Sequence, residues 1–118
     1  MSTNDEILNT VSWQIDQQNA LLSQKLRIGL RDITDPELGM DIIQLGLIRD
    51  IHLGEDETLI VKMILTTPFC PYGPAMLEST RKKAQEVSEM ETFIEMGMDP
   101  WDFSMMEDGG TAAEWGLF

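Results

Sequence analysis

Apolar residues settle into a regular spacing from Leu21 onward. Leu22, Leu26, Leu30 and Ile33 recur at intervals of four, four and three, the spacing that lines one face of a helix. Gln24, Lys25, Arg27, Arg31 and Asp32 occupy the other faces. Pro36 has no N–H to donate and pushes Asp35 away from helical conformation, so this helix is predicted to end near Thr34. Beyond Asp35-Pro36-Glu37-Leu38-Gly39 the period changes. Leu47, Ile51 and Leu53 point one way at a spacing of two or its multiple, with Arg49 the exception. Leu59, Val61, Met63 and Leu65 alternate with Ile60, Lys62 and Ile64. Both runs read as strands, joined as a hairpin by the polar connection Gly54-Glu55-Asp56-Glu57. The second run, Leu59 to Thr66, is apolar on both faces, which predicts a central place in the sheet.

The segment Thr67-Pro68-Phe69-Cys70-Pro71-Tyr72-Gly73-Pro74 holds three prolines, which rules out a strand interior and predicts a tight loop. Pro74 suits the first turn of a helix, and Leu77, Thr80, Ala84 and Val87 follow at intervals of three, four and three. A last extended piece, Phe93 to Met98, stops at Asp99-Pro100-Trp101. The predicted fold class is α+β, a small single domain with a mixed sheet of about three strands packed with two main helices. Its expected organisation is an N-terminal arm or helix over residues 1–20, a core over 21–99, and an acidic C-terminal segment over 100–118 of the same domain. That last segment is expected to add less to folding than the helices and strands, because it bears Gly109-Gly110 and no sustained period.

Composition narrows the partners. The 118 residues are 42% hydrophobic, enough for one modest core. Eight Lys and Arg against 21 Asp and Glu leave a net charge of −13, which repels a phosphate backbone or an anionic lipid surface. Neither nucleic acid nor membrane is therefore an expected partner. Every Lys and Arg lies between Lys25 and Lys83, while residues 84–118 carry nine acids and no base. That stretch reads either as a solvated face or as a docking surface for a basic partner. The opening residues show no basic stretch followed by an apolar core, and no apolar run approaches the roughly 20 residues of a membrane span. The expected location is the cytoplasm, where a lone thiol stays reduced.

One cysteine, Cys70, and one histidine, His52, cannot supply four soft ligands within a single chain. A soft-metal site would have to be shared between chains or with a small ligand. Cys70 stands at the end of the predicted central strand and just before a helix start, where unsatisfied N–H groups and the helix dipole favour a thiolate. Such a thiolate can bind iron or accept sulfur. The competing reading is a small buried hydrophobe, against which the rigid flanks Pro68 and Pro71 weigh. His52, on the first predicted strand, has no carboxylate or second ligand at a diagnostic spacing and is expected to be structural, which leaves Cys70 without a general base. Asp35, Glu37 and Asp41 cluster around Pro36 and Gly39 and read as turn residues, and the methionines read as core or interface filling.

Three stretches together resemble a known family. Asp35-Pro36-Glu37, then Asp41-Ile42-Ile43-Gln44-Leu45-Gly46-Leu47-Ile48, and above all Thr66-Thr67-Pro68-Phe69-Cys70-Pro71-Tyr72-Gly73-Pro74, are similar in wording, order and spacing to the SufT and PaaD-like metal-sulfur cluster assembly domain. The resemblance runs from about Leu22 to the closing Gly116-Leu117. It implies a small α+β domain that helps mature iron-sulfur proteins in the cytosol beside a scaffold or carrier. It also implies that Cys70 is the reactive, cofactor-binding residue, with Asp41 and Thr66 or Thr67 near it in one pocket. The PaaD branch adds a cysteine-rich zinc ribbon that this sequence lacks, which favours general assembly work over a phenylacetyl-CoA oxygenase role.

The expected function is that of a non-enzymatic accessory factor in iron-sulfur cluster assembly or delivery, acting through Cys70. A transient cluster or iron would be its only cofactor, with Cys70 as a metal ligand shared between chains. Expected partners are iron-sulfur scaffold or carrier proteins and apo client proteins, and a homodimer is compatible with a shared site. The alternatives are a thiol-dependent sulfur transferase using a Cys70 persulfide, and an acidic interaction module with an inert cysteine.

Overall fold

The computed structural model of the chain describes residues 11–36, 38–66 and 72–106. A short helix α1 (Ile15–Gln18) leads into α2 (Ala20–Gly29), which runs on through a 3₁₀ turn at Leu30–Asp32. Asn19 separates the two helices, and its side-chain carbonyl accepts the Leu22 N–H at 3.1 Å, satisfying one orphan donor of α2. After a looped segment come β1 (Ile48–Leu53), a tight turn at Glu55–Glu57, and β2 (Thr58–Met63). Asp56 and Glu57 both have positive φ in this hairpin connection, the conformation that follows the right-handed twist of paired strands. Helix α3 (Gly73–Ser88) and strand β3 (Glu91–Met96) complete the main body.

The sheet is mixed, in the order β1-β2-β3, with β1 antiparallel to β2 and β2 parallel to β3. A parallel pair needs a crossover, and α3 supplies it. The central position of β2 matches its apolar character, and Leu59, Val61 and Met63 are buried on its inner face. The inner face of β1 differs from the sequence expectation. Ile48 pairs with Met63 and Asp50 with Lys62, so two residues advance on β1 against one on β2, and Arg49 is the extra residue of a bulge. Ile48, in place of Leu47, therefore joins Ile51 on the inner face. Arg49 interrupts the sequence pattern for this reason.

Helices α2 and α3 cover the inner face. They approach so closely that a Cβ added at Gly29 would lie 2.7 Å from Val87 Cγ2. Leu26 and Leu30 from α2, and Met76, Thr80 and Ala84 from α3, are buried there. Full burial of a Leu or Ile side chain stabilises by about 1.5–3 kcal/mol.

Both ends of the described chain add to this core. Trp13 and Ile15 are buried, and the Trp13 indole N–H donates to Ile48 O at 3.2 Å. Asp16 fastens this segment to α2. Its carboxylate accepts the Trp13 N–H at 2.8 Å, the Ser23 hydroxyl, and Arg27 Nη2 at 3.0 Å, while the Arg27 guanidinium stacks 3.8 Å over the Trp13 ring. Burial alone disfavours the charge, but these hydrogen bonds outweigh it and hold the Asp16 carboxyl below the usual carboxylate range. At the other end Trp101 Nε1 donates to Leu45 O at 2.7 Å and Met106 is buried. Up to Met106 the acidic segment thus touches the core through Trp101, Met105 and Met106, as part of the same domain. No helix among the described residues is long and apolar enough to cross a membrane.

Candidate functional site

The chain between α2 and β1 is shaped by two carboxylates. Ile42 N–H donates to Ile33 O at 2.9 Å, and Thr34 and Asp41 form an antiparallel bridge, which closes residues 33–42 into a loop. Within it Asp35 N–H donates to Met40 O and Gly39 N–H donates to Asp35 O, each at 2.8 Å. Asp35 Oδ1 accepts the Leu38 N–H at 3.2 Å, the local turn chemistry the sequence predicts for an Asp in such a cluster.

The other oxygen of Asp35 goes elsewhere. Asp35 is fully buried, and its Oδ2 accepts the Thr66 hydroxyl at 3.3 Å. A buried carboxylate is costly unless hydrogen bonds replace its hydration, and here one of those bonds comes from a residue 31 positions away. Asp41 has different work. Its Oδ1 accepts the Gln44 N–H at 2.7 Å and lies 3.5 Å from Arg31 Nη1, so it caps the turn that feeds β1 and pairs with the end of α2.

Thr66 follows β2 closely and is the last described residue before the segment 67–71. On the far side of that segment, the backbone of Gly73 is packed against the end of β2, since a Cβ there would lie 2.8 Å from Leu65 Cδ1. The first turn of α3 carries no acidic residue, and Tyr72 makes no side-chain capping bond to it. The N–H groups of that turn therefore meet no negative side chain of their own helix. Cys70 and Thr67 lie outside the described residues, and of the site residues expected from sequence, Asp41 and Thr66 are the ones described.

His52 sits far along the sheet from Thr66. It pairs with Ile60, three residues before the end of β2, which at about 3.3 Å per residue is some ~10 Å from that end. Its Nδ1 lies 3.7 Å from Asp50 Oδ2. Among the described residues no three His, Asp or Glu side chains converge on a point where a metal could be held.

The description "iron-sulfur cluster assembly protein" belongs to a family whose model matches residues 24–92. The chain belongs to this family. It is 33% identical over 69 residues to the Fe-S protein maturation auxiliary factor YitW of Bacillus subtilis, a match covering 58% of this chain and 68% of that one. It is 33% identical over 76 residues to the Fe-S protein maturation auxiliary factor SufT of Staphylococcus aureus, covering 63% of this chain and 86% of the relative. The crystal structure of a domain of unknown function, DUF59, from Bacillus anthracis superposes with a TM-score of 0.71 at 27% identity, over 86% of this chain and 98% of that one.

The family match spans α2 to β3 and so takes in Asp35, Asp41, Thr66 and the Cys70 segment. The structure adds Asp35 to the residues expected at the site. The sequence signal for it was the Asp-Pro-Glu stretch, whose turn chemistry accounts for one carboxylate oxygen and leaves the other unassigned.

Proposed function

We propose that the protein is an accessory factor in iron-sulfur cluster assembly, acting in the cytoplasm without turnover of its own, and that the Cys70 thiolate binds iron or a cluster in transit to an apo client protein. The cluster is cargo in this reading. With one cysteine and one histidine in the chain, its remaining ligands come from a second protein, either a scaffold or carrier or another copy of this chain.

The observation that carries the proposal is the bond from Thr66 to the buried Asp35, in a chain that belongs to the iron-sulfur cluster assembly family. It fixes the strand end from which the Cys70 segment departs, while Gly73 packs the helix start against Leu65. In sequence the Cys70 segment runs between these two packed ends, and in this reading it is from there that the thiolate meets its cargo. The helix that starts three residues later in sequence, with no acid in its first turn, favours the charged form in this reading.

The test replaces Cys70 with Ser. Sulfur is a soft ligand and a serine oxygen a hard one that stays protonated at neutral pH. Cys70→Ser should unfold in urea within about 1 kcal/mol of the wild type. It should nevertheless fail to restore iron-sulfur enzyme activity in cells lacking the natural copy, and should take up no iron on anaerobic reconstitution with iron and sulfide. A fully active Cys70→Ser protein would remove Cys70 from the mechanism. Turnover of a sulfur donor by the isolated wild-type protein would point to a sulfur transferase instead.

A further inference from the structure

The two edges of the sheet are treated differently. The β1 edge is sealed: Trp13 Nε1 bonds Ile48 O, Gln18 Oε1 accepts the Leu53 N–H at 2.8 Å, and Gln14 N–H and side-chain amide both donate to the Asp50 carboxylate. The β3 edge is not. Gly97 N–H donates inward to Met63 O at 2.8 Å, which sets the odd-numbered residues of β3 facing β2. Thr92 N–H turns the opposite way and is taken by Gln85 Oε1 at 3.3 Å. By the alternation of a strand, the N–H and C=O groups of Ile94 and Met96 point away from the sheet, and among the described residues nothing pairs with them. An open row of this kind is a template for another strand.

We infer that the β3 edge docks an extended, basic segment of a partner protein by strand addition. The side chains define its chemistry. Glu91, Phe93 and Glu95 share the outer face of β3, with both acids exposed and Phe93 47% exposed, and Met96 and Met98 are exposed beside them. An incoming strand that matches this row carries basic, apolar, basic residues at alternate positions, the apolar one against Phe93. A second copy of this chain does not match it. Antiparallel pairing of two β3 strands about Phe93 would set Glu91 of each opposite Glu95 of the other, between chains that each carry −13. The acid-only composition of residues 84–118 thereby acquires a role, one that does not depend on the Cys70 reading.

The test uses the full chain and a synthetic peptide, acetyl-Thr-Lys-Val-Leu-Val-Lys-Thr-amide, followed by amide NMR and hydrogen exchange. The peptide should bind, shift the resonances of Thr92–Met96 and slow exchange at the Ile94 and Met96 amides. Met96→Pro removes an outward N–H without touching the ladder to β2. Glu91→Lys with Glu95→Lys reverses the charges. Each variant should keep the wild-type urea midpoint within error and weaken binding by at least about tenfold. A peptide with Glu in place of Lys should not bind. The inference is overturned if the Lys peptide leaves these amides unshifted, if it binds both variants as it binds the wild type, or if the Glu peptide binds equally. It is also overturned if Ile94 and Met96 are already protected in the free protein, because the edge is then occupied by this chain or a second copy.

Discussion

Gly46 offers the sharpest test of the packing between the C-terminal segment and the site. Its φ is +76°, and an added Cβ would lie 1.9 Å from the backbone oxygen of Met105 and 2.8 Å from its carbonyl carbon. Both obstacles are backbone atoms, which no change of rotamer relieves. Gly39 provides the control, since its φ is +72° and an added Cβ there meets nothing within 4 Å. Gly39→Ala should therefore cost only the left-handed backbone term, about 1–2 kcal/mol. Gly46→Ala carries the same term and must also push residues 101–106 away. That displacement gives up the Trp101 bond to Leu45 O, about 1 kcal/mol, and much of the burial of Met106, about 1.5–3 kcal/mol. The expected loss is about 4–6 kcal/mol, a large part of the ~5–15 kcal/mol typical of a whole domain. Urea unfolding followed by tryptophan fluorescence measures both variants, and the gap between them should be about 3 kcal/mol. Equal losses would show that residues 101–106 do not bear on the 41–46 turn, and the buried Met106 would be wrong.

Three further outcomes follow from the same contacts. Asp35→Ala strands the Leu38 N–H and the Thr66 hydroxyl without their acceptor and should lower stability by about 2–4 kcal/mol. Asp35→Asn should lose less stability yet still impair client maturation in cells, and an Asn variant with wild-type activity would free Thr66 from any role. The Asp16 carboxyl, held below its ordinary 3.8, contributes stability that is complete above that value and is lost as pH falls through its lower folded value. Urea midpoints at about pH 5 and about pH 3 should therefore differ more for the wild type than for Asp16→Asn, and equal differences would contradict the hydrogen-bonded clasp. His52→Gln should leave client enzyme activity in cells unchanged, because His52 pairs with Ile60, three residues before the end of β2 that leads to Thr66; loss of activity at normal protein levels would make it the missing base.

The central strand and both long helices were legible because each carries a sustained period, and the hairpin because a polar, Gly-bearing connection separates two apolar runs. The β1 bulge was not, since one extra residue in a strand leaves only a single misplaced polar position, Arg49, which looks like noise. The parallel placement of β3 follows from topology that no short window contains. The sequence reads residues 1–20 only as an arm or helix, and the burial of Trp13 and Ile15 goes beyond that for a related reason. α1 has only four residues, too few to show a period, and what holds it is a polar clasp around Asp16 whose partners lie on α2. Met106 sits in a segment whose acids dominate its composition, yet one buried methionine and one indole bond suffice to tie residues 101–106 to the core.

At the site the limit is of another kind. Asp35 and Asp41 look alike in sequence: both flank a turn, and both do cap backbone N–H groups there, at Leu38 and Gln44. A carboxylate has two oxygens, however, and turn chemistry occupies one. At Asp41 that same oxygen also lies 3.5 Å from Arg31 Nη1, a neighbour through the loop, whereas at Asp35 the second oxygen reaches Thr66 across the fold. Only the second contact connects the turn to the strand end from which the Cys70 segment leaves. The distinction bears on the proposed function because Cys70 follows Thr66 by four residues in sequence and precedes Gly73 by three. Weakening the Asp35–Thr66 anchor should therefore act on Cys70 from a distance, lowering activity in a protein whose thiol is intact.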